Sequence, residues 1–215
     1  MQNQGYIFAK EGHAWVYGSW LAFMLTLPFG KWWLTAPIGL LSLFSMWFFR
    51  NPEREIPSEK DIYVSPADGT VLSIDDRFEE SRYLHQTMKR LCIFMSPFNV
   101  HVNRVPRSGT VLEVIYNPGK FISANKPKAS MDNEQNAVIV KDEKGGVYMF
   151  VQIAGFIARR IICYARAGKE IEIGQRVGLI KFGSRLDVYF PLEAEITVKQ
   201  GQHVQAGQTI IGRLL

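Results

Sequence analysis

The sequence predicts a mainly β body, a β-sandwich or flattened barrel with glycine-rich hairpins, preceded by an N-terminal hydrophobic helical hairpin. Three observations predict this. Apolar and aromatic residues crowd the first fifty positions, with Trp15, Trp20, Trp32, Trp33 and Trp47 all among them. After Arg50 the chain turns polar, with charge and glycine at regular intervals. From Tyr63 onward, short apolar runs alternate with turn pairs such as Asp68-Gly69 and Gly145-Gly146, the period expected of strands. The composition shift predicts a hairpin unit at 1–50 and a folded body at 51–215.

Two apolar runs, Ala14–Phe29 and Trp32–Phe49, make the hairpin, with Pro28-Phe29-Gly30-Lys31 as the turn. A membrane-spanning helix needs roughly 17–25 residues, so the first run is at the lower limit and the second is adequate. The hairpin is expected to dip into or cross a bilayer. Lys10 precedes it and Arg50 and Arg54 follow it, which favours both ends on the cytoplasmic side of the cell (inner) membrane. A cleaved leader fits poorly, because the start is barely basic and a second apolar run follows the first. A buried pair of hydrophobic helices is the structural alternative. The formal net charge of +5 suits an anionic membrane surface. No aromatic-basic pattern points to nucleic acid.

In the body, Val71–Ile74, Leu91–Met95, Thr110–Ile115, Ala137–Val140, Val147–Ile153, Ile161–Ala165, Arg176–Ile180, Leu186–Phe190 and Glu195–Val198 read as strands. Glu79–Lys89 is the one candidate helix. A short repeat, Gly174-Gln175-Arg176-Val177 and Gly201-Gln202-His203-Val204, resembles the corners of lipoyl- and biotinyl-type β modules. Cys92 and Cys163 each sit in an apolar run and read as reduced, buried thiols, with no metal site implied.

Four stretches have residues able to do chemistry. Ser65-Pro66-Ala67-Asp68-Gly69-Thr70 reads alone as a turn. Phe94-Met95-Ser96-Pro97-Phe98-Asn99-Val100-His101-Val102-Asn103-Arg104-Val105-Pro106 sets a histidine among β-branched residues, where a structural histidine is the commoner reading. Met131-Asp132-Asn133-Glu134-Gln135-Asn136 is a dense polar run before a strand, and Lys181-Phe182-Gly183-Ser184-Arg185 is a Gly-Ser step between two strands. Each is ordinary by itself.

In this order, and together with Phe48-Phe49-Arg50-Asn51-Pro52-Glu53-Arg54, Gln152-Ile153-Ala154-Gly155 and Ala158-Arg159-Arg160-Ile161, they resemble the short-form phosphatidylserine decarboxylase proenzymes, a pyruvoyl-dependent family. The resemblance covers nearly the whole chain. Gln135 departs from it, since arginine is expected there.

The resemblance implies a carboxy-lyase zymogen of phospholipid biosynthesis. Self-cleavage between Gly183 and Ser184 would leave a β chain 1–183 associated with an α chain 184–215 whose first residue, from Ser184, is a covalent pyruvoyl (pyruvate) cofactor. Ser184, His101 and Asp68 are the implied catalytic residues, with His101 as base and Asp68 orienting it. Phosphatidylserine in the membrane is the implied substrate, decarboxylated through a Schiff base to phosphatidylethanolamine. Arg104, Arg159 and Arg160 are candidates for the lipid phosphate or substrate carboxylate. A homo-oligomer is left open.

Rival readings fit less well. A carrier module lacks its lysine at Pro191-Leu192-Glu193-Ala194. A zinc peptidase lacks a second imidazole near His101, and a serine hydrolase lacks Gly-x-Ser-x-Gly around Ser184. A non-enzymatic membrane scaffold would leave Ser184 unprocessed.

Overall fold

The computed structural model of the chain describes residues 5–120, 132–155, 160–181 and 183–214. Two compact units divide it, Met1–Glu53 and Arg54–Leu215.

The first unit is the helical hairpin. Helix α1 spans His13–Thr26 and α2 spans Trp32–Phe48, with a tight 3-10 turn at Leu27–Phe29 closed by Gly30 at φ +63°. The helices lie close because Gly39 faces the Phe23 ring, and because the Ser42 hydroxyl donates to the Ser19 carbonyl at 2.8 Å. Phe49 leaves the helix and packs edge-on against Phe48, so the second apolar run is longer than its helix. At 1.5 Å per residue the 17 residues of α2 cover about 25 Å, short of a hydrocarbon core of about 30 Å. No helix among the described residues is long and apolar enough to cross a membrane, which corrects the expectation for Trp32–Phe49.

The second unit is mainly β, as expected. An eight-stranded antiparallel sheet has the order β13-β2-β3-β11-β7-β6-β5-β9. Its strands are β2 (Gly69–Glu80), β3 (Gln86–Met95), β5 (Gly109–Asn117), β6 (Gln135–Asp142), β7 (Val147–Ala154), β9 (Glu170–Ile171), β11 (Ser184–Phe190) and β13 (His203–Val204). Two three-stranded sheets accompany it. One joins β1 (Ile62–Val64), β14 (Ile210–Leu214) and β12 (Ala194–Ile196); the other joins β4 (Val102–Arg104), β10 (Arg176–Ile180) and β8 (Ile161–Cys163). The large sheet is curled into a half-barrel.

Alternation places the core. One face of the large sheet presents Leu91, Ile93, Val138, Val140, Tyr148, Phe150, Leu186, Val188 and Phe190, all buried with Tyr63. The Tyr63 ring stands edge-on to Tyr148 and Phe190, with centroids 5.4 and 5.0 Å away. On the other face, Met149, Val151, Ile153 and Tyr189 pack with Phe78, Tyr83 and Leu84. Those last three belong to the β2–β3 hairpin, which occupies the stretch expected to be helical at Glu79–Lys89. The Glu80 carboxylate accepts the N–H groups of Arg82, Tyr83 and Leu84, so a turn satisfies the backbone that a helix would have satisfied.

The glycine repeat is turn chemistry, with Gly174, Gly201 and Gly207 all at positive φ. Gly178 serves a different need. A Cβ there would lie 2.1 Å from the Ile162 carbonyl and 2.9 Å from Gln152 Nε2, so β10 approaches β8 only as glycine allows. Gly178→Ala is therefore expected to lower stability by about 1–3 kcal/mol, read as a lower urea midpoint with an unchanged m value.

Candidate functional site

Ser184 is the first residue of β11, which hydrogen-bonds to β3 on one edge and β7 on the other. Met95 and Ala154 are its direct cross-strand partners. The preceding strand β10 lies in a different sheet, so the chain changes sheets between Ile180 and Ser184. Gly183 takes φ +61°, and a Cβ there would meet open space, so backbone conformation rather than crowding calls for glycine. Phe182 lies outside the described residues.

Ser184 has no exposed surface. Its side chain shares a face with Leu186, Val188 and Phe190, toward the core between the sheets. Near this end of the core, the inward rows change from apolar to polar. Strand β7 runs Tyr148, Phe150, Gln152, and β6 runs Val140, Val138, Asn136. The Ser184 hydroxyl donates to Met95 Sδ at 3.4 Å, and Asn103 Nδ2 reaches the same sulfur at 3.6 Å. Asn103 Oδ1 accepts from Gln152 Nε2 at 2.9 Å, and Gln152 Oε1 accepts from Asn136 Nδ2 at 3.3 Å. This row is uncharged and buried, so it orients groups without taking protons from them. These residues lie inside the sequence motifs, which by themselves assign none of them a role. The signal was available: Gln152 and Asn136 interrupt otherwise apolar alternating series.

His101 is fully buried, one residue before β4. Because Val102 pairs with Leu179, the register puts His101 beside the end of β10, at the approach to Gly183. Its Nδ1 lies 3.0 Å from the Asn99 carbonyl oxygen. A carbonyl only accepts, so Nδ1 carries the proton, and in the neutral ring Nε2 is the basic nitrogen. Asn99 is itself held: its Oδ1 accepts from both the N–H and the hydroxyl of Ser96 at 2.8 Å.

Asp68 is buried just before β2, whose first residues pair with the end of β3, so it lies at the same end of the large sheet as Ser184. Its carboxylate does not hold the imidazole. Oδ2 meets Arg54 at 3.0 Å, and Oδ1 accepts the Ala206 N–H at 2.8 Å. The expected Asp68–His101 contact is thus replaced by the Asn99 carbonyl on one side and by a clamp on the loop at 205–208 on the other. Arg54 also donates to Gln208 at 2.7 Å. Of the candidate arginines, Arg104 is buried with its guanidinium on the Gly174 carbonyl at 2.8 Å, Arg160 is exposed, and Arg159 lies outside the described residues. Gln135, the departure from the expected arginine, is buried and accepts from the Tyr83 hydroxyl at 3.2 Å.

Facing away from Ser184, Arg185 forks onto Asp187 at 2.6 and 2.9 Å and reaches Cys92 Sγ at 2.7 Å. Burial works against the Arg185 charge, but Asp187 outweighs it, and the guanidinium is held more firmly protonated than usual. Burial first, then the Asp187 charge, pushes the Cys92 thiol up to about 12.

The comparisons with known proteins agree with one another. The phosphatidylserine decarboxylase family profile matches residues 41–212. A phosphatidylserine decarboxylase proenzyme of Pelobacter propionicus is 45% identical, with 100% of each chain covered. One from Syntrophus aciditrophicus is 44% identical over 99% of each chain, and one from Solidesulfovibrio magneticus is 47% identical over 88% of this chain and 89% of its own. These matches place the protein among the decarboxylases. The chain belongs to the phosphatidylserine decarboxylase family.

Two outcomes are expected at this site. Asp187→Asn leaves the Arg185 charge buried without its partner and should cost about 3–5 kcal/mol in urea unfolding. The Cys92 thiol binds its proton more tightly folded than unfolded. Above pH 9 the unfolded chain sheds a proton that the folded chain keeps, so stability falls as pH rises toward about 12. Cys92→Ala should make that alkaline loss shallower by up to about 1.4 kcal/mol per pH unit.

Proposed function

We propose that the chain cuts itself between Gly183 and Ser184, that Ser184 becomes a pyruvoyl group, and that the mature protein decarboxylates phosphatidylserine to phosphatidylethanolamine. One observation carries this reading: an open glycine at φ +61° stands immediately before a serine buried at the start of a central strand. The Ser184 hydroxyl attacks the Gly183 carbonyl carbon while His101 Nε2 takes the hydroxyl proton. The C–N bond breaks, the serine nitrogen gains a proton, and an ester joins the two segments. Removal of the Ser184 Cα proton then breaks the Cβ–Oγ bond. The front segment leaves as a carboxylate, and one water converts the remaining enamine to a ketone and ammonia.

The residues fit the group, which is built from Ser184's own atoms and needs no added volume between Met95 and Ala154. When present, its carbonyl supplies the electron sink that amino-acid decarboxylation needs and that side chains lack. His101 returns a proton to the substrate α-carbon. The two chains stay together because β11 is held on both edges, and because Asp68 and Lys89 bond Ala206 and Ala194 of the tail. Asp68 acts first as this tail clamp; reaching His101 requires it to exchange Arg54 or Ala206.

The family's phospholipid chemistry favours membrane association. The hairpin supports it by exposing Trp15, Trp20, Trp32, Trp33 and Trp47. The flanking Lys10, Arg50 and Arg54 favour the cytoplasmic face of the inner membrane.

Intact mass measurement should find a fragment 184–215 with a pyruvoyl end and a partner ending at Gly183. A single full-length species in an active preparation overturns the reading. Ser184→Ala should stay whole and inactive, and His101→Ala should slow cleavage at least ~100-fold.

A further inference from the structure

We propose that Met95 belongs to the cleavage machinery, as the group that aims the Ser184 hydroxyl in the uncut chain. This rests on the self-cleavage reading above. The Ser184 backbone is locked between two strands, so χ1 is the freedom left to its side chain. The residue is fully buried, and solvent does not select its rotamer. Among the described residues, the hydroxyl's hydrogen-bond partner is Met95 Sδ at 3.4 Å.

A methionine is ordinarily a flexible filler. Here the sulfur is pinned from a second side by Asn103 Nδ2 at 3.6 Å. Asn103 is held in turn by Gln152 at 2.9 Å, and Gln152 by Asn136 at 3.3 Å. Four strands therefore fix one sulfur position, and that sulfur fixes one hydroxyl.

The chemistry suits the task. A thioether accepts weakly and takes no proton near neutral pH. It competes only weakly with the base for the single hydroxyl hydrogen, which therefore passes readily from sulfur to imidazole. A carboxylate or amide oxygen in its place would hold the proton more firmly and oppose its transfer.

The contact also has a limited lifetime. Oγ departs with Gly183 when the ester eliminates, so no hydroxyl remains for Met95 to orient. The aiming by Met95 thus belongs to maturation, and a purely structural residue would not weigh on cleavage more than on turnover.

The test is a time course of cleavage in newly synthesised full-length chain, followed by gel and intact mass, for wild type, Met95→Leu and Met95→Ile. Leucine nearly conserves volume and removes the acceptor. Isoleucine removes it with a different shape, so a defect shared by both follows the acceptor rather than the packing. Cleavage of both variants is expected to slow ~10-fold. The melting temperature of Met95→Leu should stay near wild type, and turnover per pyruvoyl-bearing chain should fall less than cleavage does. Cleavage at the wild-type rate in either folded variant overturns the proposal, as does a fall in turnover per mature chain that matches the fall in cleavage. Wild-type chain that never cleaves overturns the self-cleavage reading instead. Should Met95→Leu fail to fold, Asn103→Ser, which frees the sulfur, gives the second reading: cleavage slowed more than turnover supports the proposal, and unchanged cleavage, or turnover that falls as far as cleavage, overturns it.

Discussion

Everything at this site depends on β11 being an interior strand. Its backbone bonds to β3 along one edge and to β7 along the other, from Ser184 onward. The preceding strand β10 ends at Ile180 in another sheet, so the chain changes sheets between Ile180 and Ser184. A rigid strand thus begins one residue after a glycine in the left-handed region. The start of the strand therefore coincides with the Gly183–Ser184 bond. Hydrogen bonding on both edges also explains how a tail joined only by that bond would stay in place without it.

The second constraint is the change of character along the core. Toward Tyr63, Tyr148 and Phe190 the space between sheets is filled by edge-on aromatic rings. Toward Ser184 it is filled by Gln152, Asn136 and Asn103, each satisfied by a neighbour. Buried amides left without partners would be costly, so this row forms as a connected set or destabilises the fold. On the opposite face Arg185 forks onto Asp187, two residues along the same strand, and reaches Cys92 on β3. Ser184 therefore sits between a neutral hydrogen-bonded row on one face and a buried ion pair on the other.

Much of the fold was legible as period-two alternation. Val71–Ile74, Leu91–Met95, Ala137–Val140, Val147–Ile153 and Leu186–Phe190 all fall within strands of the large sheet. The misreading at Glu79–Lys89 has a local cause. Its charged residues suit a helix face, but Phe78, Tyr83 and Leu84 cover the outer side of the sheet, and that burial outweighs propensity. The hairpin's helices were legible from hydropathy. The length of α2 was not, because the departure of Phe49 from the helix is a packing event.

By itself the sequence determined the family, the mainly β body and the hydrophobic hairpin, because these are properties of local pattern and residue order. The tertiary structure decided the partners. Asp68 looks like the acid of a triad in one dimension, yet it is bonded to Arg54 and Ala206, residues 14 positions before it and 138 after it. His101 takes its orientation from the Asn99 carbonyl, a main-chain atom that no residue pattern reports. Met95 meets Ser184 across 89 positions through strand register. Hydrogen bonds act over about 3 Å, and only the folded chain brings such distant groups that close.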